Sequence, residues 1–270
     1  ATIKKRVVLD MDSAYYPDSF PVPMIEVVHS RISEEVLRGC IRGCRFCQAG
    51  FLYRPFREKS IEVIDTQCRA LCASTGYDEI SLSSLSTSDY SRLNELIDRL
   101  HQWTEKDKVS LSLPSLRVDG FSPELMERIN SVRKSGLTFA PEAGSQRMRN
   151  VINKNVTEEE LLHTVNVAFT EGWTRIKLYF MIGLPTETME DVLAILELGK
   201  KVVDAFYQNK EKPLGKPVEV ALSAAAFVPK PFTPFQWFGQ DTMETLQKKQ
   251  RELTGHMRSK RVSVNYHGAK

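Results

Sequence analysis

No apolar run in this 270-residue chain approaches the ~20 residues a helix needs to cross a bilayer. The opening, Ala1-Thr-Ile-Lys-Lys-Arg6, leads into only a short apolar stretch, unlike a secretory leader, so a cytoplasmic location is expected. Charge of one sign is also scarce. Lys and Arg number 37 against 34 Asp and Glu, a net charge of +3, too small to select nucleic acid as a partner. Low complexity is absent: 41% apolar residues support a sizeable core, and 26% charged residues show no bias toward disorder. Cysteine is rare, and its count of five rules out a fully paired disulfide framework.

What is present is an alternation of short β-rich runs and longer helical patterns. Strands are expected at Met24–His29, Glu79–Leu85, Val109–Leu113, Leu137–Ala140, Arg175–Ile182, Val218–Phe227 and Val262–Asn265. Helices are expected from Ser60, a plausible N-cap, to Ser74, then over Tyr90–Trp103, Pro123–Lys134, Gln146–Ile152, Thr157–Glu171, Met189–Tyr207 and Thr242–Arg258. Strands separated by single helices favour a parallel sheet with right-handed crossovers, and six or seven such units make an open or closed barrel. Residues 1–23 are expected as a lead-in, 24–240 as the core, and 241–270 as a helix and short strand closing it. Chemistry in such folds gathers at the C-terminal ends of strands. The unusual segments fall there: the cysteine loop, Leu85–Asp89, Pro114–Arg117, Pro141–Ser145 and Gly183–Glu187.

Three of the five cysteines lie together. Arg38-Gly-Cys-Ile-Arg-Gly-Cys-Arg-Phe-Cys47 spaces Cys40, Cys44 and Cys47 as C-x3-C-x2-C. Thiolates are the preferred ligands of iron–sulfur clusters, and three of them leave one iron of a [4Fe–4S] cubane open to bind a substrate. Gly39 and Gly43 allow tight turns, while Arg38, Arg42 and Arg45 bring positive charge that favours thiolates. A zinc site completed by His29 is the alternative, although no second cysteine pair sits at zinc spacing. Cys68 and Cys72, four apart on one helix face, read as core packing.

With Phe46 before the last cysteine, this loop resembles the signature of the radical S-adenosylmethionine (SAM) superfamily. Glu142–Ser145, Gly183–Thr188 and Phe227–Pro234 are similar to the subgroup containing methylthiotransferases and cobalamin-associated enzymes. The segments 38–55, 81–89 and 136–144 resemble, more narrowly, a bacterial family of cobalamin-binding-associated radical SAM proteins. The resemblance implies an α/β fold, a partial (β/α)6 TIM-like barrel of the radical SAM type, with one extra strand as an option. It implies SAM chelated at the open iron, one-electron cleavage to a 5′-deoxyadenosyl radical, and a flavodoxin- or ferredoxin-type electron donor. It also implies roles for residues. Ser84, Ser86 and Thr87 stand where many relatives place Gly-Gly-Glu against the SAM amino group, so hydroxyls or carbonyls would take that work here. Glu142 would meet the ribose or methionyl end. Phe46, Met181, Ile182, Gly183, Phe227 and Val228 would lie along the adenine, and Arg117 and Lys177 would pair with the SAM carboxylate.

Other absences narrow the reaction. No Asp-x-His-x-x-Gly cobalamin signature and no domain-sized segment ahead of the first strand occur, so cobalamin would need a domain outside this chain. The abrupt start and end suggest a core belonging to a longer protein. No second cysteine cluster follows the sixth strand, which argues against methylthiotransferase chemistry as usually built. Three readings remain: a radical SAM enzyme of unidentified substrate, with methyl transfer as its outcome if a cobalamin domain lies outside this chain; a methylthiotransferase-like RNA or protein modifier; and an RNA-binding module with a structural metal centre. In the last, the basic run from Lys248 to Arg261 contacts phosphate.

Overall fold

A computed structural model describes residues 3–114, 117–118 and 136–268, and these fall into two compact units. The expected helix at Pro123–Lys134 lies outside the described residues. The first unit takes in residues 3–41 and 52–114, the second residues 42–51, 117–118 and 136–268.

In the first unit, strands β1 (Ile32–Glu35), β4 (Glu79–Ser83) and β5 (Ser110–Ser112) form a parallel sheet in the order β1-β4-β5. Two short strands, β2 (Leu37–Arg38) and β3 (Arg57–Glu58), pair antiparallel beside it. The first strand therefore starts eight residues later than Met24, where the sequence pattern put it. Met24, Ile25 and Val28 are 103%, 78% and 91% exposed. Strand propensity at 24–29 finds no partner edge, whereas Ile32 is fully buried in register with Ile80.

The helices of this unit follow their signals more closely. Helix α2 (Ile61–Thr75) is capped by Ser60, whose hydroxyl accepts the Val63 N–H, and it stops at Gly76 in the left-handed conformation. Its buried face carries Asp65, which accepts from Trp103 Nε1 at 2.8 Å and Arg99 Nε at 3.0 Å, both on α3 (Leu93–Asp107). Cys68 on the same face is fully buried, and burial pushes its thiol far up; half-buried Cys72 is pushed up to about 11 by the same cause. Neither is disposed to ionise.

The second unit holds a four-stranded parallel sheet, β6 (Leu137–Glu142), β7 (Arg175–Ile182), β8 (Glu219–Ala226) and β9 (Val262–Tyr266), in that order. Its helices are α4 (Gln146–Val151), α5 (Glu158–Thr170), α6 (Met189–Gln208) and α7 (Met243–His256). Thr157 and Thr188 open α5 and α6 with full capping boxes. Strand β7 alternates: Ile176, Leu178, Phe180 and Ile182 are buried in the helix-side core, and Arg175, Lys177, Tyr179 and Met181 project the other way. Phe169 of α5 and Phe206 of α6 meet edge to face at 5.0 Å in that core. Each such buried phenyl contributes about 1.5–3 kcal/mol. Among the described residues, no helix is long and apolar enough to cross a membrane.

Candidate functional site

The cysteine loop enters the second unit at Arg42 and leads into the short helix α1 (Gln48–Leu52). Cys44 is buried and Cys47 half-buried, and the Cys47 N–H closes a turn onto the Cys44 carbonyl at 3.1 Å. The turn is docked on the C-terminal end of α4. The Arg45 N–H donates to Ile152 O at 2.9 Å, Asn153 Nδ2 donates to Gly43 O at 2.9 Å, and the Arg45 guanidinium donates to Val151 O. The segment after β8 holds its other side: Phe235 N–H reaches Arg45 O at 3.3 Å, and Gln48 Nε2 reaches Pro231 O at 3.2 Å. A Cβ at Gly43 would stand 3.0 Å from Asn153 Nδ2, the amide that docks this turn, and would press on it.

Two of the three arginines flanking the thiols are occupied elsewhere. Arg38 binds Glu35 through both carboxylate oxygens, and Arg45 serves the carbonyls of α4. Their contribution to thiolate formation, expected from sequence, is reduced accordingly. All five thiols are free of disulfides. Among the described residues, no three His, Cys, Asp or Glu side chains are gathered into a metal site. His29, the alternative zinc ligand, is exposed and outside any strand.

Around the loop, three residues named from sequence come together. Phe46 and Met181 pack against one apolar cluster that contains Phe227, Ala143, Met148, Ile152, Leu184 and Phe235. Ile182 does not join it, since the alternation of β7 turns its side chain into the helix-side core. Val228 is half exposed. Gly183 has φ +84, and its N–H donates to Glu187 Oε2 at 2.7 Å. Glu187 in turn meets Lys249 at 2.7 Å, and Lys249 meets Asp241 at 2.8 Å. Burial alone would lower the Lys249 ammonium, but the two carboxylates outweigh it. This lysine belongs to the basic run at 248–261, and its buried position removes it from any phosphate-facing role.

Glu142 ends β6 with φ +68, a backbone region that costs a non-glycine residue about 1–3 kcal/mol and persists only where its surroundings hold it. Burial pushes its carboxyl above the usual range, with Lys154 and then Arg117 offsetting part of the shift. Lys154 Nζ lies 3.3 Å from its Oε1, and Arg117 donates to the Lys154 carbonyl at 3.1 Å. Fully buried Arg149 clamps the following carbonyls, Ala143 at 3.0 Å and Gly144 at 2.9 Å. Next, Asp191 collects Ser145 Oγ at 2.6 Å, the Thr188 N–H at 2.8 Å and the Arg147 guanidinium. Burial would raise the Asp191 carboxyl, yet the hydrogen bonds from Arg147, Ser145 and Thr188 hold it well below the usual carboxylate range.

A depressed folded-state pKa contributes stability above the unfolded value, near 4, and loses it as pH falls through the folded value. Asp191→Asn is therefore expected to lower the unfolding free energy by about 2–3 kcal/mol at neutral pH. The gap between the two proteins should close on acidification below pH ~4. Denaturant unfolding of both proteins across that range checks it.

Of these residues, only Asp191 had a local signal the sequence reading missed: Thr188-x-x-Asp191 has the spacing of a capping box. Lys154, Arg149 and Lys249 carried no local signal, being set by tertiary contact alone. Lys177 parts from the group. It is the third residue of β7, and its ammonium sits 4.6 Å over the Tyr179 ring.

The first unit carries the rest. Cys40 is half-buried. Ser84 Oγ lies 2.9 Å from Thr87 Oγ1, and Thr87 donates to Pro114 O at 2.7 Å, so the Thr87 hydroxyl is spent on the fold. Ser86 Oγ is buried with no hydrogen-bond partner among the described residues, leaving a polar group unsatisfied. Within the second unit, the Cys44 and Cys47 thiols and the apolar cluster of Phe46, Met181 and Phe227 are a set that fits a cluster and an adenosyl group.

A family model for the radical SAM superfamily matches residues 35–199. An uncharacterised protein of Methanocaldococcus jannaschii is 34% identical over 202 residues, 75% of this chain and 41% of that protein. A putative methylthiotransferase of the same organism is 24% identical over 219 residues, 75% of this chain and 47% of that protein. The chain thus spans less than half the length of either relative. Among solved structures, the radical S-adenosylmethionine methyltransferase TsrM from Kitasatospora setae, with cobalamin and [4Fe–4S] cluster bound, matches with a TM-score of 0.55. Its identity is 16%, over 76% of this chain and 38% of that one, so the likeness carries the fold: α/β, of the partial-barrel type expected above. The family match, over well more than half the chain, means that this chain belongs to the radical SAM superfamily of enzymes.

Proposed function

We propose that this chain is the core of an enzyme that holds a [4Fe–4S] cluster through Cys40, Cys44 and Cys47 and leaves one iron open to SAM. Bound together, cluster and SAM supply one-electron cleavage of a C–S bond, giving a 5′-deoxyadenosyl radical. The observation that carries the reading is the cysteine turn, which Asn153 and the Arg45 backbone dock on the end of α4. Met181, Phe46 and Phe227 offer an apolar wall for adenine, and Gly183 and Ile182 meet it through backbone. Ser86 offers its unsatisfied hydroxyl to the amino group. Glu142 orients the ribose or methionyl end, and Arg117, beside Lys154, faces the carboxylate.

The electron comes, in this reading, from a flavodoxin- or ferredoxin-type donor. Methyl transfer is the finer proposal, with cobalamin supplied by a domain outside this chain; the likeness in fold to a cobalamin-containing methyltransferase supports it. Methylthiotransferase-like modification of RNA or protein is a second reading, favoured by the relative of that name. Anaerobic reconstitution tests the core claim. About four irons and four sulfides per chain, with SAM converted to 5′-deoxyadenosine under dithionite, are expected. Zinc retained under chelation with no turnover of SAM would overturn it.

A further inference from the structure

Parallel sheets are almost always covered on both faces, and their strands are then apolar on both. The sheet of the second unit departs from this. One face carries the core, and the other is polar. Residues in register on neighbouring strands share a face. Lys177 stands in register with Thr138 on one side and with Ala221 and then Ser263 on the other. Tyr179 stands in register with Ser223 and then Asn265, and Met181 with Ala225. Thr138, Ser263 and Asn265 are exposed, and Tyr179 is 39% exposed. Branched aliphatic side chains, which fill the interior layers of closed barrels, are missing from these rows.

Both signs of charge occur on this face, and Lys177 is the one left without an ion-pair partner among the described residues. Lys177 lies over the Tyr179 ring and meets no carboxylate among the described residues. The nearest carboxylate in register, Glu219, is one row toward the strand starts and is paired with Arg175 at 3.2 Å. The hydroxyls of Thr138, Tyr179, Ser223 and Ser263 and the amide of Asn265 likewise make no side-chain hydrogen bond within the described residues. A half-buried cation without a carboxylate partner, beside solvent-facing hydroxyl and amide donors and on a floor of alanines, is a good anion seat.

We propose that this open face binds the substrate through an oxyanion group, a carboxylate or a phosphate, held by Lys177. Tyr179, Ser223 and Asn265 donate hydrogen bonds to the polar remainder. Lys177 lies four residues before Met181, ~13 Å along the strand, so the anion anchors one end of a molecule whose other end reaches the strand tips. The assignment of the bound molecule as substrate rests on the radical SAM reading; the anion site does not. It also moves Lys177 from the cofactor to the substrate.

The test is a titration of the isolated chain, ¹³C-labelled at lysine, with inorganic phosphate and separately with acetate, without added SAM or reductant. The Lys177 signal, identified by its loss in Lys177→Met, is expected to saturate with one of the two anions. Saturation should come at a concentration about tenfold below that at which other lysines respond. The anion that does so names the class. Tyr179→Phe and Asn265→Ala should weaken it several-fold, and Lys177→Arg should retain it when the same anion is titrated by calorimetry. If Lys177 responds no differently from the other lysines to both anions, the proposal fails. It fails equally if calorimetry shows the same saturable binding in Lys177→Met or in Lys177→Gln. Because neither SAM nor electrons are involved, a failure to cleave SAM would leave this result untouched, and the reverse also holds.

Discussion

Cys44→Ala and Cys47→Ala are each expected to abolish cluster binding and reduce SAM cleavage to background, whereas Cys68→Ala and Cys72→Ala keep both. The contrast follows from environment. Cys44 and Cys47 sit in a turn whose backbone is held from two sides, by α4 and by the segment at Pro231–Phe235, so the thiols are presented by a preset loop. Cys68 is sealed inside the first unit, where burial disfavours its thiolate. Losing it costs stability, about 1–2 kcal/mol, without touching the cluster. Iron and sulfide content, 5′-deoxyadenosine formation and thermal melting of the four variants separate the two groups. Loss of iron in Cys68→Ala with the fold intact would contradict the assignment.

Gly144→Ala is expected to cost about 3 kcal/mol or more, and to disturb Glu142 with it. A Cβ at Gly144 would stand 2.3 Å from Ile195 N and 2.5 Å from the Ala194 carbonyl carbon, both backbone atoms of α6. No rotamer relieves such a clash, so either α6 or the 142–145 loop must shift. The loop is the weaker party in length but not in anchorage, since Arg149 and Asp191 hold it. Strain should therefore pass to the backbone of Glu142, already at φ +68. The comparison is Gly255→Ala in α7, where an added methyl meets nothing within 4 Å. There a neutral result or a gain of up to about 1 kcal/mol is expected. Urea unfolding of both variants, together with SAM affinity by equilibrium dialysis, measures the difference. Equal stabilities would show that the close approach of loop and helix is wrong.

How far the sequence could be read depended on which force set each element. Strand β7 was legible to the residue, Arg175–Ile182, because its alternation reports a face buried against helices. Helix α2 was legible at its start because Ser60 supplies a local cap. The first strand was misplaced: Met24–His29 has strand composition, but pairing is decided by a partner edge, which only Ile32–Glu35 finds. Within the site, Phe46, Met181 and Phe227 were named from their motifs and do share one apolar cluster. Ile182 was grouped with them because a motif does not record which way a side chain turns. The positive φ of Glu142 and the clamps on its loop come from Lys154, Arg149 and Asp191. Their meeting is a product of tertiary packing, with no periodic trace in the sequence.

The central claim is that three thiolates leave one iron open to SAM. It is tested most directly by electron paramagnetic resonance of the reconstituted, dithionite-reduced chain before and after adding SAM. The account predicts a reduced-cluster signal whose g-values shift when SAM is added. A signal unchanged by saturating SAM, or a chain that takes up no iron while its fold is intact, would contradict it.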